Sequence, residues 1–112
     1  MKTVFHLNTN DKTRQSELLG NIQNLISDKT TEVEEIAVVL NGDAVKMLEK
    51  GSEAAEFIRE YPEKVSFKAC SNSVENREVD EDKIIEDAEL VSSGVAELNR
   101  LQENDFNYIK VN

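Results

Sequence analysis

The chain of 112 residues is long enough for one hydrophobic core, and its 38% hydrophobic and 32% charged residues are typical of a polar globular domain. Its 23 acidic and 13 basic residues give a net charge of −10, a surface that repels phosphate backbones and anionic membranes, so neither direct nucleic-acid binding nor membrane binding is expected. With one cysteine, no apolar run near the roughly 20 residues that cross a bilayer and no signal-peptide pattern, the sequence predicts a cytoplasmic protein.

The first half of the chain alternates between strand-like and helix-like apolar patterns. Residues 3–7 are β-branched and aromatic and predict a strand. The apolar spacing over residues 18–26 predicts a helix, which Asn10 or Asp11 is placed to cap. Residues 35–40 form a continuous apolar run, which predicts a strand buried on both faces of a parallel sheet.

The middle of the chain repeats this alternation. A short helix over residues 45–48 is expected to end at Gly51. A second helix covers residues 52–61, and Pro62 closes it. Residues 65–69 then predict the third strand.

The remaining elements are shorter. A polar helix begins at Ser71 or Asn72, and a brief acidic helix carries residues 84–85. A weak strand at residues 89–91, a helix over residues 93–101 and a final strand at 106–111 complete the chain. This alternation predicts a single α/β domain over residues 1–112, with a mostly parallel sheet and helices on both faces.

Polar residues with possible chemistry follow the carboxyl ends of the predicted strands. Ligands of open α/β sheets bind beyond those ends. The residues there are His6 to Asn10, Asn41-Gly42-Asp43, Cys70-Ser71-Asn72 and Ser92-Ser93-Gly94. The only histidine and the only cysteine of the chain both lie at this edge.

Cys70 lies between a predicted strand and a predicted helix. Backbone N–H groups and the positive end of the helix would face its sulfur, which lowers a thiol pKa and favours the reactive thiolate. The alternative is a small buried hydrophobic residue, and the net negative charge of the chain also opposes a thiolate. The residues alone leave both interpretations open.

His6 is either a base acting on Cys70 or a hydrogen-bonded residue at the rim of the sheet. One histidine and one cysteine are too few for a structural zinc site, so no metal is expected. The glycines are too scattered for a dinucleotide or P-loop motif, and no cofactor is expected. The stretch 75–89 carries eight acidic residues and is either a solvated face or a docking surface for a basic partner.

Four segments in the expected order resemble the DsrE/DsrF-like family. They are Val-Phe-His-Leu at 4–7, Val-Val-Leu-Asn-Gly-Asp-Ala-Val at 38–45, Phe-Lys-Ala-Cys-Ser-Asn-Ser at 67–73 and Gly-Val-Ala-Glu-Leu at 94–98, followed by Leu-Gln-Glu at 101–103 and Tyr-Ile-Lys at 108–110. The resemblance implies a flavodoxin-like three-layer domain with five strands that assembles as a homo-oligomer, a trimer or hexamer. Relatives in sulfur relay use a cysteine after the third strand, the position of Cys70, to accept a persulfide. Those relatives continue into small, Ala-rich residues, whereas Ser71-Asn72-Ser73 follows here.

The resemblance therefore predicts a sulfur carrier with a protein donor and a protein acceptor. Cys70 would be the persulfide acceptor and His6 would assist it. The binding residues would be Asn8, Asn41, Gly42, Ser71, Asn72 and Ser73. The alternatives are a non-catalytic small-molecule-binding or regulatory homo-oligomer with an unknown ligand, and a structural partner protein that uses the acidic stretch.

Overall fold

The computed structural model describes residues 1–61 and 63–111, which form a five-stranded, all-parallel sheet with helices on both faces. The strands are β1 (Lys2–Leu7), β2 (Glu35–Leu40), β3 (Val65–Cys70), β4 (Ala88–Val91) and β5 (Phe106–Lys110). The helices are α1 (Lys12–Ser27), α2 (Glu53–Ile58), α3 (Ser71–Asn76) and α4 (Gly94–Glu103), and two 3₁₀ segments cover Gly42–Leu48 and Glu81–Lys83.

The predicted α/β, flavodoxin-like three-layer architecture is confirmed. The strand order is β4-β3-β2-β1-β5, whereas flavodoxin itself has the order 2-1-3-4-5. The crossovers from β1 to β2, from β2 to β3 and from β3 to β4 each add the next strand on the same side of the sheet. The last crossover goes back past β1 and adds β5 at the opposite edge. Because parallel crossovers are right-handed, this reversal places α4 on the face opposite to the other helices.

The hydrophobic core is divided between these two faces. The larger cluster packs α1, α2 and α3 against one face, with Leu18, Ile58 and Val74 among its buried side chains. The smaller cluster packs Leu98 of α4 against Val4, Ala37 and Val39, with Leu101 and Phe106 at its margin. Side chains alternate along a strand, so His6 and Cys70 lie on the α4 face.

Two local expectations differ from the structure. The short helix with Val45 and Leu48 is present as a 3₁₀ helix, but it ends at Leu48 and not at Gly51. The acidic helix is one 3₁₀ turn, because Ile84 bridges to Glu49 and Ile85 donates its N–H to the Leu48 carbonyl, which draws both isoleucines into the core. The polar helix α3 begins at Ser71, one of its two predicted starts, directly after β3.

The remaining boundaries agree with the sequence patterns to within a few residues. Asp11 caps α1 by accepting the Arg14 N–H, and Ser93 caps α4 by accepting the Ala96 N–H. The expectation for Pro62 falls outside the described residues. Within residues 1–61 and 63–111, no helix is both long and apolar enough to cross a membrane.

Candidate functional site

Cys70 is the last residue of β3 and the N-cap of α3. Its side chain is buried, and the backbone N–H groups of Asn72, Ser73 and Gly94 and the Ser73 hydroxyl lower the pKa of its thiol. Gly94 is the first residue of α4, so the beginnings of two helices meet at one sulfur. Backbone N–H groups at a helix start favour an anion there.

The donors around the sulfur decide the protonation of the thiol. Burial raises the pKa of Cys70, because a thiolate is less well solvated inside the protein. Hydrogen bonds from the Ser73 side chain and from the N–H groups of Gly94, Ser73 and Asn72 outweigh that effect and hold the pKa below its usual value. The environment therefore favours the thiolate, the form that acts as a nucleophile.

A glycine at position 94 allows α4 to approach the sulfur this closely. A Cβ atom there would lie 3.3 Å from the Cβ of Cys70, 3.3 Å from the Cβ of Asn41 and 3.5 Å from Cγ1 of Val39. These neighbours are fixed to strand ends and have little freedom to move away. Sequence reasoning placed Gly94 at the correct edge but not in the site, since its contacts depend on which face α4 covers.

An ion-pair cluster around the nearly buried Lys68 and Glu97 holds α4 against the sheet. Lys68 Nζ lies 2.9 Å from a carboxylate oxygen of Glu97 and 2.9 Å from one of Glu89, while Arg100 Nη2 lies 2.9 Å from Glu97. Burial opposes both charges, but the partners lower the pKa of Glu97 and raise that of Lys68. Because Glu97 follows Gly94 by three residues, this cluster fixes the start of α4 over Cys70.

The loop after β2 forms a second wall of the site. The Gly42 N–H donates to Ser73 Oγ at 2.8 Å, so this hydroxyl joins the loop to Cys70. Gly42 has φ +56°, and a Cβ there would lie 3.0 Å from the Asn8 carbonyl oxygen, so the position favours glycine. At its outer side, Arg77 Nε donates to Asp43 Oδ1 at 2.6 Å.

His6 is buried, and both of its ring nitrogens have side-chain partners. Nδ1 lies 2.6 Å from the Tyr108 hydroxyl, and Nε2 lies 2.9 Å from Asn41 Oδ1. Burial lowers the pKa of His6, the positive charge of Lys110 adds to this, and the Asn41 hydrogen bond offsets only part of it. The ring is therefore neutral near pH 7, and among the described residues no hydrogen bond joins it to Cys70.

The structure brings most of the predicted site residues together. Asn72, Ser73 and Asn41 lie beside Cys70. Gly42 is linked to it through the Ser73 hydroxyl, and His6 is linked to the site through Asn41. The other two predicted binding residues lie aside, since Asn8 is exposed and contributes its carbonyl beside Gly42, and Ser71 starts α3 without a hydrogen bond to the sulfur. Within the described part of the chain, no three His, Cys, Asp or Glu side chains group to hold a metal ion.

Tyr108 is a site residue that sequence reasoning missed. It lies on the edge strand β5, and it reaches His6 because β5 pairs with β1 in parallel, with Tyr108 opposite Val4. That register puts Tyr108 and His6 on the same face of the sheet. No local pattern predicts it, since the two residues are far apart in the chain.

The comparisons with known proteins agree with this fold. The sequence matches the DsrE/DsrF-like family over residues 1–111. A protein of unknown function from Methanobacterium thermoautotrophicum, MTH1491, is 34% identical over 97% of each chain, with a TM-score of 0.89. A conserved protein of unknown function from Bacteroides thetaiotaomicron, BT1422, has 20% identity and a TM-score of 0.74, covering 98% of this chain and 94% of its own, and shows the fold alone. No protein with a curated description matches.

The family match extends over nearly the whole sequence and includes every element that forms the site. It supports a kinship with the sulfur-relay proteins of that group. The chain belongs to the DsrE/DsrF-like family.

Proposed function

We propose that this protein is a persulfide carrier, in which Cys70 receives a sulfur atom from a donor persulfide and passes it to an acceptor thiol. One observation carries the proposal: Cys70 is a buried cysteine at the junction of β3 and α3 with the start of α4 packed against it, and the polar groups there lower its pKa despite the burial. A cysteine that only fills space in the core has no need of such donors.

The first half-reaction loads the protein. The Cys70 thiolate attacks the outer sulfur of the donor persulfide, and a new S–S bond forms as the S–S bond of the donor breaks. The inner sulfur of the donor leaves as a thiolate, so the oxidation levels balance without an added oxidant. The N–H groups of Asn72, Ser73 and Gly94 stabilise the Cys70 thiolate, which starts this step.

The second half-reaction transfers the outer sulfur from the loaded protein to an acceptor. An acceptor thiolate attacks the outer sulfur of the Cys70 persulfide, and Cys70 leaves as a thiolate. A thiol with a lowered pKa leaves faster, so the same donors that activate Cys70 for attack also support its departure. Nucleophilicity falls as the pKa falls, so a modest lowering suits a residue that must perform both roles.

The neutral His6 does not act as the direct base in this proposal. Its two ring nitrogens contact Tyr108 and Asn41, and the lowered pKa of Cys70 removes the need for a base to form the thiolate. Its assistance is positional, through Asn41. The donor and acceptor are proposed to be proteins, and the chain is proposed to act as a homo-oligomer.

Exposed apolar side chains on the edge strand support the oligomer proposal. Tyr108 and Ile109 of β5 are 40% and 43% exposed, and an uncovered strand edge favours association.

Loading of the wild type and of Cys70→Ser with glutathione persulfide tests the proposal, with intact-mass spectrometry as the measurement. The wild type is expected to gain one sulfur atom that a reductant removes, and Cys70→Ser to gain none. The serine hydroxyl can accept hydrogen bonds from the surrounding N–H groups, so the variant is expected to fold. Its thermal melt checks this. Equal loading of the two proteins contradicts the proposal. Absence of loading in the wild type, together with a native Cys70 inert to iodoacetamide, favours the non-catalytic binding role instead.

A further inference from the structure

A chain of three polar side chains runs from the edge strand β5 to the wall of the Cys70 site. The Tyr108 hydroxyl lies 2.6 Å from Nδ1 of His6, and Nε2 of His6 lies 2.9 Å from Oδ1 of Asn41. His6 is buried and Asn41 is half-buried. Such a network fixes the orientation of its members, because each lost bond would leave a buried polar group without a partner.

The donors and acceptors in this chain have a defined direction. A neutral imidazole carries one proton, and Oδ1 of Asn41 can only accept, so the proton lies on Nε2. Nδ1 then accepts the proton of the Tyr108 hydroxyl. With Oδ1 bound to His6, the NH₂ group of Asn41 lies on the side of the carboxamide away from His6.

Asn41 stands directly beside Cys70. The two residues follow Leu40 and Ala69, which are paired in the β2–β3 ladder, and their Cβ atoms both lie 3.3 Å from the position of a Cβ at Gly94. β2 lies between β1 and β3, so the side of Asn41 away from His6 is the side of Cys70. Among the described residues, however, the groups that lower the pKa of the Cys70 thiol belong to Ser73, Gly94 and Asn72 and not to Asn41.

We propose that the NH₂ group of Asn41 binds the outer sulfur of the Cys70 persulfide, and that His6 and Tyr108 are positioning residues that orient this amide. The inference rests on the proposed function. The outer sulfur of a persulfide is joined to the Cys70 sulfur by an S–S bond of about 2.05 Å. It therefore lies farther out than the N–H groups that stabilise the Cys70 thiolate. A persulfide is deprotonated more readily than a thiol, and a hydrogen bond to a charged sulfur is stronger than one to a neutral group. The amide therefore stabilises the loaded state without acting on the free thiol.

The equilibrium between the protein thiolate and glutathione persulfide, giving protein persulfide and glutathione thiolate, is the quantity to measure. Asn41→Ala is expected to lower this equilibrium constant about tenfold, equivalent to about 1.4 kcal/mol. The rate at which iodoacetamide alkylates the unloaded Cys70 is expected to stay at the wild-type value. Truncation leaves the backbone intact, because the Asn41 side chain makes no capping hydrogen bond to the 3₁₀ segment that follows it.

Tyr108→Phe keeps the ring and removes the hydroxyl, and it is expected to lower the same constant about threefold, since the amide becomes less firmly oriented. Two matched controls make the same chemical changes elsewhere. Tyr61→Phe removes a hydroxyl that donates to the Leu19 carbonyl on the other face of the sheet, and Asn99→Ala removes an amide that donates to Val95 on α4. Both controls are expected to load like the wild type.

Two results overturn the inference while the proposed function stands. One is a loading equilibrium constant of Asn41→Ala that equals that of the wild type. The other is a loss of thiol alkylation that matches the loss of loading, because Asn41 would then support the structure around the thiol and not the outer sulfur. A wild type that takes up no sulfur overturns the proposed function itself, and this inference falls with it.

Discussion

Replacing Gly94 by alanine tests whether close approach of α4 controls Cys70. The added methyl group would lie 3.3 Å from the Cβ atoms of Cys70 and Asn41, closer than ordinary van der Waals contact. Both neighbours are attached to strand ends, so the start of α4 must shift outward by a few tenths of an ångström. That shift moves the Gly94 N–H away from the sulfur, and the pKa of Cys70 is expected to rise toward its usual value.

The stability effect has two opposing parts. Overpacking of a tight contact costs about 1–3 kcal/mol. Alanine in a helix gains about 0.5–1 kcal/mol over glycine. The expected net loss is about 1 kcal/mol, or a melting temperature about 4 °C lower in a chain of this size. Gly20→Ala is the matched control, because Gly20 lies within α1 with no atom within 4 Å of an added Cβ, and it is expected to gain about 0.5–1 kcal/mol.

The assays are thermal unfolding and the pH dependence of Cys70 alkylation by iodoacetamide. Gly94→Ala is expected to melt below the wild type, and its alkylation profile is expected to move to higher pH. Gly20→Ala should melt above the wild type with an unchanged profile. If Gly94→Ala is as stable as Gly20→Ala and its alkylation has the pH dependence of the wild type, close approach of α4 does not control Cys70.

Two further predictions concern the charges around the site. Glu97→Gln keeps the size of the side chain but leaves Lys68 with Glu89 alone, and it is expected to cost about 2 kcal/mol in urea unfolding, since the pair is only 11% and 13% exposed. Glu17→Gln in the exposed Arg14 pair should change stability by less than about 0.5 kcal/mol, and equal effects of the two variants would contradict the structural role of Glu97. His6 has a pKa below its unfolded value, so the unfolded chain binds more protons and stability is expected to fall as the pH decreases from about 7.5 to about 5.5. His6 is the only histidine, so a stability that stays constant or rises over this window in urea unfolding refutes the assignment of a neutral, buried ring.

The strands and their order along the chain were predictable because their patterns are local. The continuous apolar run of β2 indicates burial on both faces, and the stripe of α1 has a clear helical period. The 3₁₀ segments were not predictable in type, because two apolar residues such as Val45 and Leu48 fit either helical period. The position of Ile84 depends on its bridge to Glu49, a contact that no local pattern contains.

The site was predictable only in part, for a related reason. Residues that follow strands come together at one edge of any parallel sheet, which accounts for Asn41, Gly42 and Cys70. Gly94 and Tyr108 required two facts of topology: α4 covers the opposite face, and β5 pairs with β1. The role of His6 changed for the same reason, since its partners come from β5 and from the loop after β2.

A labelled sulfur atom followed through both half-reactions tests directly whether Cys70 carries sulfur from a donor to an acceptor. The protein is loaded from a persulfide whose outer sulfur carries a heavy isotope, freed of donor, and then mixed with an acceptor thiol. For a carrier, the label is expected to map first to Cys70 and then to the acceptor, leaving Cys70 as a free thiol ready to load again. A label that never reaches Cys70, or that stays on it in the presence of the acceptor, contradicts a carrier function.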